Sequence, residues 1–206
     1  KAHAHSVNID KSNKYAYICD LGKDQVLTYA MDVENATISL SSTVDEVAGE
    51  GPRHFTFHPT NQQVYVLNEL GSTITLYDLG DDGTLTPIET VPTLPEGWDG
   101  ENTTADIHTS PDGAFVYASN RGHDSLAIFS IDQSTGKMTL VGHEPSQGNT
   151  PRNFAITPDG KFLLVENQNS DSIVTLRREN DGTLTPTGSI INVPAPVCLQ
   201  LLPVGG

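Results

Sequence analysis

Six residues of this chain stand out because they place chemically active side chains at equivalent points of an internal repeat. An Asp or Asn follows an apolar run in each of four copies, at Asp20, Asn68, Asn120 and Asn167. Fifteen residues before this anchor the copies carry His5, Arg53, Ala105 and Arg152, and one residue after it they carry Leu21, Glu69, Arg121 and Gln168. Core packing gives no reason for imidazole, guanidinium and carboxylate groups there, because such groups are seldom buried without partners.

The spacing of the anchors indicates which elements position these residues. The anchors lie 48, 52 and 47 residues apart, and each copy contains several short apolar runs. A period near fifty with several strands per copy is typical of a β-propeller, whose four-stranded blades bury their faces against one another. Equivalent residues of successive blades surround one axis, so the charged positions are expected to converge on one pocket. The other interpretation is that they face solvent at the blade ends.

Strand and turn signals support an all-β fold with antiparallel blades. Runs rich in β-branched and aromatic residues occur at 15–19, 64–67, 115–118 and 162–165, and second runs follow at 25–29, 73–77, 125–129 and 172–176. Asp-Gly pairs begin at 82, 112, 159 and 181 and supply the positive φ of tight hairpins. No window shows sustained helical periodicity.

A fifth, partial copy begins near the C-terminus. The seven-residue interval between prolines recurs at Pro52 and Pro59, Pro151 and Pro158, and Pro196 and Pro203. Residues 198–202 are therefore expected to form one closing inner strand, with Val197 in the place of Arg53. An autonomous four-blade ring would leave this apolar strand without partners, which promotes aggregation. We interpret 1–206 as a single propeller domain, the C-terminal portion of a larger ring whose N-terminal blades are missing here.

Composition limits the classes of partner. The net charge is −15, with 11 Lys and Arg against 26 Asp and Glu. This balance argues against nucleic acid and against anionic membranes, which both require a cationic face. An anionic small molecule would need a local arginine cluster. Cys19 and Cys198 lie in apolar runs and are interpreted as buried free thiols of a reducing compartment rather than a disulfide.

The longest interval contains an extra segment, 93–102, with the single Trp of the chain and three acids. It is either a loop over the pocket or a solvated excursion with Trp98 packed beneath it, and we favour the second.

Several segments together resemble the seven-bladed lactonase propellers. They are residues 3–7 (HAHSV), 19–22 (CDLG), 51–59 (GPRHFTFHP), 65–70 (YVLNEL), 117–125 (YASNRGHDS), 150–154 (TPRNF) and 193–198 (VPAPVC). That family includes bacterial 6-phosphogluconolactonases of the cycloisomerase type and fungal carboxy-muconate cyclases, and the details are more similar to the bacterial branch. The resemblance implies a seven-bladed ring of which this chain covers about four blades plus one closing strand.

The resemblance also implies an active site at His5, Arg53, Glu69 and Arg121, with no metal and no organic cofactor. These residues suit the hydrolysis of a lactone by water. His5 titrates near neutral pH and suits a base, while Glu69 would orient it or act as base itself. Arg53 and Arg121 offer forked donors for an oxyanion or a phosphate.

Three further residues are candidates for substrate binding. Arg152 is the equivalent of Arg53 in the fourth copy, and His3 and His108 lie on predicted inner strands. A metal site from His3 and His5, which would share one strand face, is weighed and not favoured because no carboxylate cluster accompanies them. His54, next to Arg53, is expected to face the opposite way and to pack.

The sequence thus favours a cytoplasmic lactonase that converts 6-phosphogluconolactone, an anionic small molecule of the pentose phosphate pathway. A carboxy-muconate cyclase and a propeller that serves only as a binding platform are the alternatives. The sequence does not predict the oligomeric state.

Overall fold

The structure, a computed structural model, describes residues 1–202. In this part of the chain sixteen strands form four sheets, and each sheet consists of four consecutive antiparallel strands. The chain divides into two compact units, Lys1–Thr93 with the first two sheets and a second unit that begins at Leu94 with the other two. The prediction of an all-β chain with about four four-stranded blades is confirmed.

The strands follow the repeat. In the first unit, sheet 1 contains β1 (Ala4–Ile9), β2 (Tyr15–Asp20), β3 (Gln25–Asp32) and β4 (Thr37–Asp45), and sheet 2 contains β5 (Pro52–Phe57), β6 (Gln63–Asn68), β7 (Thr73–Leu79) and β8 (Leu85–Pro92). In the second unit, sheet 3 contains β9 (Thr103–Thr109), β10 (Phe115–Arg121), β11 (Ser125–Ile131) and β12 (Met138–Pro145), and sheet 4 contains β13 (Pro151–Ile156), β14 (Phe162–Asn167), β15 (Ser172–Arg178) and β16 (Leu184–Asn192). A 3₁₀ turn spans Gln168–Ser170. Within residues 1–202, no helix has the length and apolar character needed to cross a membrane.

The middle strands are buried on both faces because two sheets pack against each other within each unit. In the first unit the core includes Tyr17, Phe55 and Val66, and in the second it includes Tyr117 and Phe154. This packing explains why the middle strands read as continuous apolar runs rather than as an alternating pattern. Burial of such side chains stabilises each sheet by roughly 1.5–3 kcal/mol per residue.

Two Asp-Gly turns are held by the neighbouring sheet in the same way in both units. Gly83 and Gly182 have φ values of 79° and 84° and their carbonyls accept hydrogen bonds from the hydroxyls of Tyr17 and Tyr117, at 3.2 and 2.9 Å. A Cβ at Gly182 would lie 2.2 Å from the ring of Phe115. Glycine is therefore required there by the backbone conformation and by the close approach of the next sheet.

A second recurring contact fixes the loops that lead into inner strands. Asp24 and Asp124 each occupy the turn between the second and third strands of a sheet with positive φ, 55° and 51°. The carboxylate of Asp24 accepts the N–H of Gly51 at 2.8 Å, and that of Asp124 accepts the N–H of Thr150 at 2.8 Å. Each acceptor holds the chain just ahead of the next inner strand.

The C-terminal prediction is wrong in two respects. Residues 198–202 form no strand, and Cys198 is exposed rather than buried. A strand requires a ladder of hydrogen bonds with a neighbour, whereas the contact made here is one bond from the Leu199 N–H to Asn153 Oδ1, at 3.0 Å. Cys19 is buried in β2 as predicted, and both thiols are free. Pro203 lies outside the described residues.

Candidate active site

The first strand of each sheet carries a β-bulge at the position that lies fifteen residues before the anchor. In β1, Ala4 pairs with Asp20 and Ser6 pairs with Cys19, so His5 is the extra residue. The same register shift falls at Arg53 in β5, at Ala105 and Asp106 in β9, and at Arg152 in β13. A bulge bends the strand and changes the direction of the extra side chain. The four positions thus share a backbone geometry as well as a place in the repeat.

The bulges of β1 and β5 bring three of the predicted residues together. Arg53 Nη1 lies 2.8 Å from Glu69 Oε2 and also contacts His5 Nε2. The ion pair is well shielded, with 5% of the Arg53 side chain and 16% of the Glu69 side chain exposed, whereas His5 is exposed. Glu69 follows β6 directly, and its backbone N–H donates to the carbonyl of Gly51 at 2.7 Å. The end of β6 is thereby tied to the loop that leads to Arg53.

The contact between Arg53 and His5 allows one hydrogen-bond direction. A guanidinium has only donors, so Arg53 Nη1 donates and His5 Nε2 accepts. Glu69 in turn orients the guanidinium that faces His5.

His54, the residue after Arg53, packs as expected. Its ring centroid lies 5.2 Å from that of His5, and the residue is half-buried.

In the second unit, Arg121 lies beside an open cleft. Its Nη2 donates to the carbonyl of Thr104 at 2.8 Å. The cleft measures about 530 Å³ and is lined by Arg121, Glu101, Asn102, Thr103, Gly122 and Thr150. Asn102 is held in place by its own amide, which donates to Asn120 Oδ1 at 3.1 Å. This arrangement offers a guanidinium and polar groups to a ligand of small-molecule size.

The extra segment, 93–102, has features of both structures considered from the sequence, a packed Trp98 and a loop beside a pocket. Trp98 is 39% exposed and packs edge-on against His123, with ring centroids 4.6 Å apart. The end of the same segment supplies Glu101 and Asn102 to the wall of the cleft.

Comparison with known proteins shows which family the chain belongs to. The family described as lactonase, 7-bladed beta-propeller, matches residues 1–201. The chain belongs to this lactonase family. It is 40% identical over 198 residues to a 6-phosphogluconolactonase of Formosa agariphila, covering 94% of this chain and 54% of the relative. A 6-phosphogluconolactonase of Bacillus subtilis is 32% identical over 204 residues, covering 98% and 58%.

A solved structure is similar over almost the whole of this chain. The periplasmic gluconolactonase of Pseudomonas aeruginosa superposes with a TM-score of 0.93 at 31% identity, covering 99% of this chain and 58% of that one. The chain thus spans between half and three fifths of the length of the relatives it matches.

Within this lactonase-family chain the predicted site residues fall into two groups. Arg53 contacts both His5 and Glu69 in the first unit, and Arg121, Arg152 and His108 lie in the second. Arg152 is partly buried at the bulge of β13.

His3 does not share a strand face with His5. It lies ahead of β1, exposed, with its ring against Gly22, where an added Cβ would lie 2.4 Å from His3 Cδ2. Within residues 1–202, no group of three or more His, Cys, Asp and Glu side chains is arranged to hold a metal ion.

Two buried acids of the second unit were not identified from the sequence. Asp106 Oδ2 lies 3.0 Å from His108 Nε2 and accepts the amide of Asn153 at 2.5 Å, and 4% of its side chain is exposed. Burial alone would lower the pKa of His108, but the charge and hydrogen bond of Asp106 hold it above the ordinary value. Glu166 is 2% exposed, and burial together with the nearby Asp106 charge raises its pKa to about 7.

The repeat comparison could have identified Asp106 and Glu166. One position further along, 14 residues before the anchor, the copies carry Ser6, His54, Asp106 and Asn153. Immediately before the anchor they carry Cys19, Leu67, Ser119 and Glu166. Glu166 is the single ionised type in an otherwise apolar or small set, and it pairs with Asn153 across the ladder.

Proposed function

We propose that this protein is a lactonase that hydrolyses 6-phosphogluconolactone to 6-phosphogluconate. The observation that carries the proposal is that Arg53 contacts both His5, at the bulge of β1, and Glu69, at the end of β6. Membership in the lactonase family and the names of its relatives support it further. The net charge of −15 makes a local arginine group necessary for an anionic substrate.

In the proposed reaction the lactone carbonyl oxygen accepts a hydrogen bond from Arg53, which Glu69 holds in place. As this hydrogen bond of Arg53 passes from His5 to the lactone, Nε2 of His5 is released and removes a proton from a water molecule, whose oxygen bonds to the carbonyl carbon. The resulting oxyanion collapses, the bond from the carbonyl carbon to the ring oxygen breaks, and the departing alkoxide takes the proton from His5. The products are the open hydroxy acid and an unchanged site.

The contact geometry suits this role, because an Nε2 that accepts a hydrogen bond carries the lone pair that a base requires. A buried guanidinium is suited to oxyanion stabilisation, since it is fixed before the reaction begins. Arg121, in the second unit, stays a predicted catalytic residue.

The test is acid release from 6-phosphogluconolactone, glucono-δ-lactone and a carboxy-muconolactone by the protein expressed from its complete reading frame. We expect the phosphorylated lactone to be preferred. His5→Gln is the main variant because His5 is exposed and its loss should leave the fold intact. Loss of a positioned base should lower kcat/KM by about 10²–10⁴-fold.

His143→Gln, on outer strand β12, is the matched control and should retain wild-type turnover. Rates equal to spontaneous hydrolysis on all three lactones would overturn the proposal and favour a binding platform. Preference for the carboxy-muconolactone would instead favour a cyclase.

A further inference from the structure

In the second unit, residues 94–102 form one wall of the open cleft and lie against the turn between β10 and β11; we call them the wall segment. Glu101 and Asn102, at its end, line the cleft beside Arg121 and Gly122. A Cβ at Gly122 would lie 2.2 Å from the carbonyl oxygen of Glu101, and φ there is 124°. Glycine is therefore what lets the turn and the wall segment approach so closely.

Three contacts fasten the wall segment, and His123 takes part in two of them. The ring of Trp98 packs edge-on against the ring of His123, with centroids 4.6 Å apart. The backbone N–H of His123 donates to Asn102 Oδ1 at 3.1 Å, and the Asn102 amide donates to Asn120 Oδ1 at 3.1 Å. His123 thus holds both the middle and the end of the wall segment.

His123 also contacts a second imidazole on the outer strand of the same sheet. The ring centroids of His123 and His143 lie 5.4 Å apart, and His143 belongs to β12. Nδ1 of His123 lies 2.6 Å from Oγ of Ser125. A hydroxyl both donates and accepts, so this bond serves a neutral or a charged imidazole. Two imidazolium ions in contact would repel each other, so the closed arrangement disfavours charge on both rings.

The surroundings of His123 fix the sign of its response to pH. Burial lowers the pKa of His123, the nearby His143 lowers it further, and the carboxylate of Asp124 in the same turn opposes both; the resulting pKa lies below the ordinary value. The other ionisable residues on the elements packed around it are Arg121 of β10, Glu144 of β12, and Glu96, Asp99 and Glu101 of the wall segment.

A state in which the wall segment is released uncovers His123 and returns its pKa towards the ordinary value. The released state therefore binds the proton more tightly than the closed state does. The closed arrangement has its full stability above the ordinary pKa of about 6.5 and loses stability as pH falls through the lower pKa of the closed state. Acid thus favours release.

We propose that Trp98, His123 and His143 form a pH-sensitive clasp, which holds the wall segment in place while His123 is neutral and releases it when His123 is protonated. The end of the wall segment then leaves the cleft. Arg121 stays, because its Nη2 donates to the carbonyl of Thr104 at 2.8 Å. The clasp makes the shape of the cleft, rather than its cation, depend on pH. It lies wholly in the second unit and does not depend on the proposed lactonase function.

Hydrogen exchange measured by mass spectrometry tests the clasp without any ligand. The protein expressed from its complete reading frame is compared at pH 5 and pH 8, after correction for the intrinsic dependence of amide exchange on pH. We expect the amides of 96–102 and of His123 to be roughly twofold to fivefold less protected at pH 5, the size of a contact between like charges at a surface. Equal protection at the two pH values would overturn the inference.

Four variants separate the clasp from a general effect of acid. His123→Gln cannot be protonated, so its protection should not depend on pH, and Trp98→Ala should be poorly protected at both pH values. His143→Gln removes the second imidazole and should show a smaller dependence than the wild type. His3→Gln, an exposed histidine of the first unit, is the matched control and should behave like the wild type.

The buried strand β11 lies beside the clasp, and its protection shows whether each variant is folded. A folded His123→Gln variant that keeps the dependence of the wild type would refute the role of His123. If that variant does not fold, His143→Gln decides the matter, because a dependence equal to that of the wild type would also overturn the inference.

Discussion

The buried Glu166 makes the stability of this protein depend on pH, and replacing it with Gln should remove that dependence. Glu166 is 2% exposed in sheet 4, with Asp106 as the nearby charge. Burial and the Asp106 carboxylate raise the pKa of Glu166 from 4.5 to about 7. The folded protein therefore binds this proton more tightly than the unfolded chain does.

The sign and size of the effect follow from this difference. Between pH 4.5 and 7 the folded state holds more protons than the unfolded state, so the free energy of unfolding falls as pH rises. Each unit by which folding shifts a pKa corresponds to about 1.36 kcal/mol. The ionisation of Glu166 should therefore lower the free energy of unfolding by about 3 kcal/mol above pH 8, and it should have no effect below pH 4, where the side chain is protonated in both states.

Glu166→Gln keeps the shape of the side chain without the titration, and its amide can donate to Asp106. We expect the variant and the wild type to be equally stable near pH 4 and the variant to be more stable by about 3 kcal/mol at pH 8. Urea unfolding between pH 4 and 8.5 measures the difference. Glu101→Gln, an exposed substitution in the same unit, is the control and should give a difference that is constant with pH. A Glu166→Gln curve parallel to that of the wild type would refute the reasoning.

Two further predictions concern the turns and the buried ion pair. Gly182→Ala should lower the free energy of unfolding by about 2–4 kcal/mol, because φ is 84° and the new Cβ would meet Phe115. Gly188→Ala, where φ is 80° and no atom lies near the new Cβ, should lower it by only about 1–2 kcal/mol. Equal losses in denaturant unfolding would contradict the role of Phe115. Glu69→Gln should destabilise the protein by about 3–5 kcal/mol because it leaves Arg53 buried without its carboxylate, and the double variant with Arg53→Gln should recover part of that loss. A double-mutant cycle by chemical unfolding checks this, and strictly additive losses would count against the pairing.

Much of the fold could be predicted from the sequence because its signals are local. Apolar runs and turn residues indicated the strands that became β2, β6, β10 and β14. The Asp-Gly pairs marked turns whose glycines do adopt positive φ, as at Gly83 and Gly182. The repeat comparison selected His5, Arg53 and Glu69, which the fold then brings into contact.

The features that the sequence did not reveal arise from pairing between distant residues. Bulges fall at His5 and Arg53, and alternation along a single strand cannot predict such a shift in register. Cys198 lies outside any strand because a strand exists only with a hydrogen-bonded neighbour.

The sequence by itself determined the all-β class, the four-fold repetition and the residues available for chemistry, since strand propensity, turn chemistry and periodicity are properties of adjacent residues. The tertiary structure decided which of those residues meet. It placed Glu69 on Arg53, and it buried Glu166 near Asp106, 60 residues away in the chain. Charge compensation and proton affinity depend on the distance and burial of such partners, which exist only once the sheets have packed.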